Sequence, residues 1–177
     1  MSRERDVAIA RGLGNNVYLM PVVSGYENIA EEDSDELFIF DPIYEIVPVI
    51  MLEGCVFEWH NIVDGKMQYN LNIVPNYDQD YKELHYLCSV ELKDRGWVLH
   101  NLCEHSDTEW SCTYVNLESQ ERIMTTGKDE LDARAACACT ILNGDDWPSH
   151  YEEPQLIAYL PANLMPTPPS GDDQNDE

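Results

Sequence analysis

The chain has 177 residues, of which 34 are acidic and 10 are basic, so its formal net charge is −24. Direct binding to nucleic acid or to an anionic membrane surface is not expected, because phosphate groups repel a chain of this charge. Hydrophobic residues make up 44% of the chain, which is enough for a folded core and excludes a wholly disordered acidic protein.

Neither a membrane span nor a secretory signal is expected. No apolar stretch reaches the roughly 18 to 20 residues of a spanning helix, and residues 1–6 lack the apolar segment of a signal peptide. We therefore expect a cytoplasmic protein, where disulfides are rare. The cysteines form no C-x2-C pair and are expected to be free, mostly buried thiols: Cys55, Cys88, Cys103, Cys112, Cys137 and Cys139.

The first predicted element is a strand at residues 16–23, which Pro21 confines to the edge of a sheet. Residues 31–36 (EEDSDE) are too charged to be buried and predict a loop or a solvent-facing helical turn. We expect residues 1–40 to be an acidic N-terminal extension and residues 41–143 to be the folded domain.

Residues 41–50 give two conflicting signals. Asp41 followed by Pro42 is typical of a helix start. Four aliphatic residues have the spacing of a buried helical face: Ile43, Ile46, Val47 and Ile50. Pro48 would kink that helix, so a strand over residues 47–52 is the alternative.

An antiparallel hairpin is predicted next. Residues 56–63 and 66–74 flank Asp64 and Gly65, a dipeptide that supplies the positive φ angles of a tight two-residue turn.

A helix is predicted to begin at Tyr81, because Asp80 and Glu83 have the spacing of a capping pair. Gly96 is expected to end it in the left-handed conformation. Its predicted buried stripe consists of Tyr81, Leu84, Cys88 and Leu92.

A second hairpin is predicted from residues 97–103 and 110–117, which are rich in aromatic and β-branched side chains. The polar residues 104–108 are the expected loop, and residues 122–125 are an additional edge strand. Three tryptophans near strand ends are expected to be core aromatics rather than a ligand platform: Trp59, Trp97 and Trp110.

The last predicted helix has the clearest signals. Thr126 and Asp129 have capping-box spacing, and Asn143 with Gly144 ends the helix. Its buried face is predicted to contain Leu131, Ala135, Ala138 and Leu142.

Together these elements predict an α+β fold, with a small antiparallel sheet of four to five strands layered with helices as an α/β/α sandwich. Residues 144–177 form a Pro-rich acidic C-terminal segment. Disorder is expected after about residue 166, because little apolar surface remains to be buried there.

The order of elements resembles the phage ABA-sandwich domain, a domain of uncharacterised bacteriophage proteins. The resemblance covers about residues 41–143 and depends on Pro75, residues 77–80, Gly96 with Trp97, and the helix core at residues 135–139. It implies a layered fold and a phage origin. It implies no reaction and no catalytic residues.

A zinc site is the strongest candidate for metal chemistry. Its possible ligands are His100, Cys103, His105 and Cys112. Buried thiols and surface histidines are the favoured interpretation, since neighbours along a strand point to opposite faces. Cys137 and Cys139 do not share a helix face. His105, Asp107 and Glu109 would suit a metal-dependent hydrolase, which is a minority alternative.

The distribution of charge predicts the function. Eleven carboxylates and no lysine or arginine lie between Gly12 and Gly65, and eight more carboxylates follow Ala135, again without a basic residue. Carboxylates on one surface can approximate the spacing of phosphates in a nucleic acid. The predicted partner-binding patch consists of Glu27, Glu31, Glu32, Asp33, Asp35, Glu36, Asp41, Asp145, Asp146, Glu152 and Glu153.

We therefore predict a non-enzymatic phage protein without a cofactor. It would act in the host cytoplasm by blocking a nucleic-acid-binding or defence protein that has a basic groove. The alternative is a module that binds a protein through an apolar surface, with acidity serving solubility alone.

Overall fold

The structure, a computed structural model, describes residues 2–24, 43–61 and 67–157. The elements, in chain order, are α1 (Ser2–Gly12), β1 (Asn16–Ser24), β2 (Ile43–Met51), β3 (Phe57–Asn61), β4 (Met67–Leu71), α2 (Tyr81–Tyr86), a π-helix (Leu87–Glu91), α3 (Leu92–Asp94), β5 (Trp97–Ser106), β6 (Glu109–Asn116), β7 (Arg122–Gly127), α4 (Glu130–Asn143) and a 3₁₀ helix (Trp147–Ser149). The predicted α+β class is confirmed.

The chain divides into two units. The first unit comprises Met1–Val17 and Val74–Glu153, and the second comprises Tyr18–Ile73 and Pro154–Glu177. The first unit therefore takes α1 from the start of the chain and all of its other elements from after residue 73.

The first unit is built on the three-stranded antiparallel sheet β5-β6-β7. Cys112 and Tyr114 of β6 are both buried and, being two residues apart, lie on the same face of the sheet. Helix α4 packs on that face: the Cys137 thiol lies 3.4 Å from the Ile123 carbonyl oxygen of β7. The hydroxyl of Thr125 donates to the carbonyl of Ala133 at 2.9 Å.

Helix α1, which was not predicted from the sequence, packs against α4. Residues 7–10 are all buried. The Asn143 side chain donates to the Ala8 carbonyl at 3.0 Å. A Cβ at Gly12 would lie 2.7 Å from the Leu142 Cβ, so this close approach of the two helices depends on a glycine at position 12.

The second unit contains two pairs of strands, β1-β2 and the antiparallel hairpin β3-β4. The strand at residues 16–23 and the first hairpin are confirmed. The predicted turn at residues 64 and 65 lies outside the described residues.

The helix predicted to begin at Asp41 and Pro42 is wrong, because residues 43–51 form strand β2. Ile43, Ile46, Val47 and Ile50 therefore do not form a helical face. Pro48 cannot donate a helical hydrogen bond, and the neighbouring β-branched side chains favour extended backbone. The alternative strand was the better interpretation. The backbone N–H of Ile50 donates to the carbonyl of Asn72 at 2.8 Å.

Asp80 caps α2 as predicted, with its carboxylate accepting from the N–H groups of Lys82 and Glu83 at 2.9 and 3.2 Å. Leu84, Cys88 and Leu92 are buried, but Tyr81 is 58% exposed, so its predicted place in the stripe is wrong. The π-helix that follows α2 was not predicted. Gly96 has the expected positive φ, 82°.

The second hairpin and the edge strand are confirmed, but the predicted loop is too long. Strand pairing extends to Ser106 and Glu109, so Asp107 and Thr108 alone form the turn. Polar side chains are tolerated in these strand ends because both are exposed. Trp97 is buried in the core cluster, and Trp110 packs against it.

Helix α4 is confirmed, with Ala135 and Ala138 fully buried. Its N-cap is Asp129 rather than Thr126, since the Asp129 carboxylate accepts from the Asp132 N–H at 2.8 Å. Leu131 and Leu142 are partly buried against the core.

The strands of the described residues pair in sheets of two, two and three strands, and the predicted single sheet of four to five strands is not found among them. On the opposite face of the three-stranded sheet, Met124 is 69% exposed, whereas Ser111 and Val115 of β6 are buried. The α/β/α layering stays a prediction.

We expect Asp129→Ala to lower the free energy of unfolding by about 1 kcal/mol, because it removes the cap of α4. Thr126→Ala is the matched control and should change it by less than about 0.5 kcal/mol, because Thr126 is exposed and caps nothing. Urea unfolding followed by far-ultraviolet circular dichroism measures both. An equal loss in the two variants would contradict this assignment of the cap.

Candidate functional site

The predicted acidic patch is described only in part. Seven of its members lie outside the described residues: Glu27, Glu31, Glu32, Asp33, Asp35, Glu36 and Asp41. The other four are exposed and flank the 3₁₀ helix, and we call them the C-terminal acidic turn: Asp145, Asp146, Glu152 and Glu153. The structure brings these four into one short segment of the first unit.

The C-terminal acidic turn is held on the surface of the first unit by specific contacts. Arg11 of α1 donates to the Glu152 carbonyl at 2.5 Å. The rings of Trp147 and Tyr151 meet edge to face at 6.4 Å, and Trp147 packs against the core. The four carboxylates are therefore presented on anchored backbone.

One carboxylate of the turn has a titratable neighbour. The Nε2 atom of His150 lies 2.9 Å from Asp146 Oδ2, with both side chains largely exposed. A pair this exposed is strongly screened by water and salt, so it contributes little to stability.

Several arginines are engaged in ion pairs within the first unit. These pairs are Arg3 with Asp6, Arg5 with Asp132 and Asp78, Arg95 with Glu91, and Arg134 with Glu130. Arg3, Arg5 and Arg134 make these pairs in buried or half-buried positions, whereas Arg95 and the C-terminal acidic turn are exposed.

A buried ionic cluster joins α1 to the segment before α2 and to the start of α4. Arg5 lies 2.6 Å from Asp132 and 3.8 Å from Asp78, which is buried. Asp6 is 1% exposed and accepts from the Tyr77 N–H at 3.0 Å. The amide of Asn76, oriented to satisfy its neighbours, donates to both Asp6 and Asp78.

The pKa values of Asp6 and Asp132, at the two ends of this cluster, are shifted in opposite directions. Burial raises the pKa of Asp6 to about 6, and the charge of Asp78 adds to this, while the Tyr77 N–H and Arg3 oppose it. Burial also acts to raise the pKa of Asp132, but the Lys128 N–H and Arg5 outweigh it and lower that pKa. The cluster is a structural tie between three segments of the first unit.

The proposed zinc ligands are not brought together. Cys103 pairs with Ser111 across the hairpin and Leu102 pairs with Cys112, so the two cysteines point to opposite faces of the sheet. His105 Nε2 lies 2.8 Å from the Ser111 hydroxyl, and His100 is exposed. Among the described residues, no group of three or more His, Cys, Asp or Glu side chains is arranged to hold a metal ion.

The buried cysteines contact different parts of the core. Cys88, Cys112, Cys137 and Cys139 are buried free thiols, as expected. The Cys139 thiol is directed at the Arg5 carbonyl, whereas Cys137 faces the sheet, which agrees with the prediction that they do not share a face. Burial raises the pKa of Cys139 to about 12. This thiol is therefore protonated at neutral pH and is a weak nucleophile.

A cavity of about 420 Å³ in the first unit was not predicted from the sequence. It lies between α2 with its π-helix on one side and β5 on the other, and Arg134 of α4 and Tyr114 of β6 also line it. An arginine within the alanine-rich segment of α4 was the available sequence signal, because a buried arginine needs partners. We call this space the Arg134 cavity.

Neither a family model, nor a curated protein, nor a solved structure matches this chain. Within the described residues, no helix has the length and apolar character needed to cross a bilayer. The resemblance to the phage ABA-sandwich domain accordingly stays a prediction from the residues that suggested it.

Asp6→Asn tests the ionic cluster through pH. A carboxyl whose pKa is raised on folding favours the folded state when protonated, so wild type should lose stability as pH rises from about 3.8 to about 6. That shift in pKa corresponds to a change of about 3 kcal/mol in the free energy of unfolding. The asparagine side chain keeps the shape of aspartate and an oxygen that accepts from the Tyr77 N–H, but it does not ionise. The stability of Asp6→Asn relative to wild type should therefore rise by about that amount between pH 4 and pH 7.

Urea unfolding at a series of pH values measures this difference. Asp107→Asn, which removes one exposed carboxylate, is the control for the loss of a single negative charge. Parallel pH profiles for wild type and Asp6→Asn would contradict a raised pKa at Asp6.

Proposed function

We propose that this chain is a non-enzymatic inhibitor of phage origin. Its acidic surface occupies the basic groove of a host nucleic-acid-binding or anti-phage defence protein in the host cytoplasm. The carboxylates stand in for phosphates, so the partner's own nucleic acid is excluded from the groove. Restriction, CRISPR and similar systems contain partners of the required kind.

The observation that carries this proposal is the exposed and anchored group of four carboxylates in the first unit. Arg3, Arg5 and Arg134 are paired with carboxylates in buried or half-buried positions. The C-terminal acidic turn is exposed and anchored by Arg11 and Trp147. A rigid acidic surface loses less conformational entropy on binding than a flexible tail does, so it suits a competitive inhibitor.

The sequence of the second unit strengthens the argument from charge. Its segments, residues 18–73 and 154–177, contain Lys66 as their single basic residue and no arginine. Few of their carboxylates can therefore be neutralised by a basic residue of the same segments. Such an excess of negative charge attracts a basic partner over a long range. This attraction accelerates association at low salt.

A second candidate function is supported by exposed apolar side chains in β7 and in the turn after β6. Met124 of β7 is 69% exposed, and Leu117 of the turn is 59% exposed. A protein partner could cover this apolar surface, with acidity serving solubility. Binding of that kind would persist at high salt, which separates it from the first proposal.

The test begins with affinity capture of a partner from host lysate, followed by measurement of the dissociation constant at increasing salt. We expect affinity to fall steeply with salt. Neutralising the C-terminal acidic turn should weaken binding about tenfold or more at low salt. That variant carries Asp145→Asn, Asp146→Asn, Glu152→Gln and Glu153→Gln.

The matched control removes four exposed carboxylates elsewhere in the first unit. It carries Glu104→Gln, Asp107→Asn, Glu109→Gln and Glu118→Gln, and it should retain most of the affinity. Binding that does not depend on salt would contradict the proposal. So would an equal loss in the control, because net charge rather than a patch would then be responsible.

The acidic run at residues 31–36 has its own test. Replacing Glu31, Glu32, Asp33, Asp35 and Glu36 with their amides should also weaken the partner complex and reduce its dependence on salt. Isothermal titration calorimetry at two salt concentrations measures both effects. Full inhibitory activity after this change would remove the run from the proposed binding surface.

A further inference from the structure

Strand β7 is an edge of the three-stranded sheet. Among the described residues it pairs with β6 alone, and the register of the two strands is continuous over all six residues of β7. The other edge strand, β5, has two breaks in register, and such irregularities protect a sheet edge from further pairing. Of the two edges, β7 is therefore the one that suits the addition of a regular strand.

The hydrogen bonding at the start of β7 identifies the backbone groups that point outward. The N–H of Asn116 donates to the carbonyl of Glu121 at 2.9 Å, so these residues form a hydrogen-bonded pair. Hydrogen-bonded and non-hydrogen-bonded pairs alternate along an antiparallel ladder. The N–H and carbonyl groups of Arg122, Met124 and Thr126 therefore point away from β6.

These three residues are also the exposed residues of β7. Met124 alone is 69% exposed. Natural proteins blunt such edges with proline or with bulges, and β7 has neither. A row of outward backbone donors and acceptors beside an exposed apolar side chain is what an extended peptide uses when it adds a strand to a sheet.

A groove beside β7 has room for the side chains of an added strand. Its volume is about 420 Å³, and its lining includes residues 121–124, Thr140 and Ile141 of α4, and Asp145. Ile123 and Ile141 are partly buried against the core and supply apolar surface there. An added strand would therefore contact the edge of the sheet through its backbone and this groove through alternate side chains.

Arg122 specifies the charge of the added strand. It is exposed and, among the described residues, belongs to no ion pair. Its side chain and that of Met124 lie on the sheet face opposite α4, because their β6 partners alternate with Cys112 and Tyr114, which face that helix. A guanidinium in this position favours a carboxylate on the same face of the added strand.

Negative charge lies on the other side of the strand. Glu121 and Asp145 border the groove next to α4, so they would repel a carboxylate placed there. The side chains of the added strand that face α4 are therefore expected to be uncharged. Repulsion from more distant acidic residues is screened beyond a Debye length of about 8 Å at physiological salt, whereas the contact with Arg122 is direct.

We propose that β7 binds an extended acidic segment of a protein partner, which joins the sheet as a further antiparallel strand. Its backbone exchanges hydrogen bonds with Arg122, Met124 and Thr126. One carboxylate of the segment pairs with Arg122, and its apolar side chains cover Met124 and enter the groove beside Ile123. This proposal rests on the second candidate function, for which it names the contact surface and the chemistry of the partner.

Hydrogen exchange of the full chain, followed by nuclear magnetic resonance, tests the edge without a ligand. The amides of Arg122, Met124 and Thr126 should exchange at least about tenfold faster than those of Ile123 and Thr125, which point towards β6. Equal protection in the free chain would contradict an open edge. Protection that increases with protein concentration would overturn the proposed occupant in favour of a second copy of the chain.

Binding is tested with a capped peptide of valine and threonine that matches the six residues of β7 and ends in glutamate. A second peptide ends in lysine instead. Alternate amides, beginning with the first, are N-methylated, so neither peptide can pair with itself through its other edge. We expect saturable binding of the acidic peptide and slower exchange at the three outward amides.

A charge reversal connects this binding to Arg122. The negative chain attracts the lysine peptide at long range in every variant, so the informative quantity is the ratio of the two affinities. In Arg122→Glu the preference for the acidic peptide over the lysine peptide should fall by about tenfold. Lys82→Glu is the matched control, because it makes the same change in net charge at an exposed site on α2 and should change the ratio much less.

Met124→Pro tests the backbone contact. Proline removes an N–H that points away from β6, so the sheet loses no hydrogen bond, and proline is tolerated at such edge positions. This variant should keep its far-ultraviolet circular dichroism and lose binding of both peptides. Arg122→Glu provides an independent test, because a surface substitution there leaves the backbone unchanged.

Three results with the peptides would overturn the proposal. One is the absence of saturable binding by the acidic peptide. Another is binding that leaves exchange at Arg122, Met124 and Thr126 unchanged, since the peptide would then lie elsewhere. The third is an equal change of the affinity ratio in Arg122→Glu and Lys82→Glu. The host partner is not present in these measurements, so they are distinct from the salt dependence that tests the acidic surface.

Discussion

The first unit depends on the contact between Arg5 of α1 and Asp132 of α4, which lie 2.6 Å apart but far from each other in sequence. Around this pair, Asp6 receives the Tyr77 N–H and Asp78 lies within 3.8 Å of the same guanidinium. Burying so many charges is costly unless each is paired and hydrogen-bonded. The arrangement is therefore sensitive to the loss of any one partner, and it fixes α1 against α4 in one position.

Much of the fold of the first unit was accessible from the sequence because its signals are local. Asp80 and Gly96 mark the ends of the α2–α3 segment through capping and a positive φ, both of which depend on neighbouring residues only. The paired strands on either side of the turn at residues 107 and 108 were likewise predictable from their aromatic and β-branched side chains. Each of these features is caused by residues that lie within a few positions of it in the sequence.

The features that were missed depend on distant residues. Helix α1 was not predicted because its charged residues, Arg3, Arg5 and Asp6, resemble a solvated segment in the sequence. Their partners become known only from the structure. Pro48 and its β-branched neighbours gave contradictory local signals, which strand pairing resolved. The lining of the Arg134 cavity comes from six separate elements, and no local sequence pattern predicts that they converge. Of the candidate acidic surface, the sequence predicted the C-terminal acidic turn as charged residues but not its anchoring by Arg11.

The order of segments in the first unit has a consequence for synthesis of the protein. Ala8 and Ile9 of α1 are buried in one core cluster with residues that all follow residue 73, and the partner helix α4 ends at Asn143. During translation, α1 is therefore synthesised well before the helix that it packs against. The first unit can close only when translation has passed Asn143, because its core combines residues that are far apart in sequence.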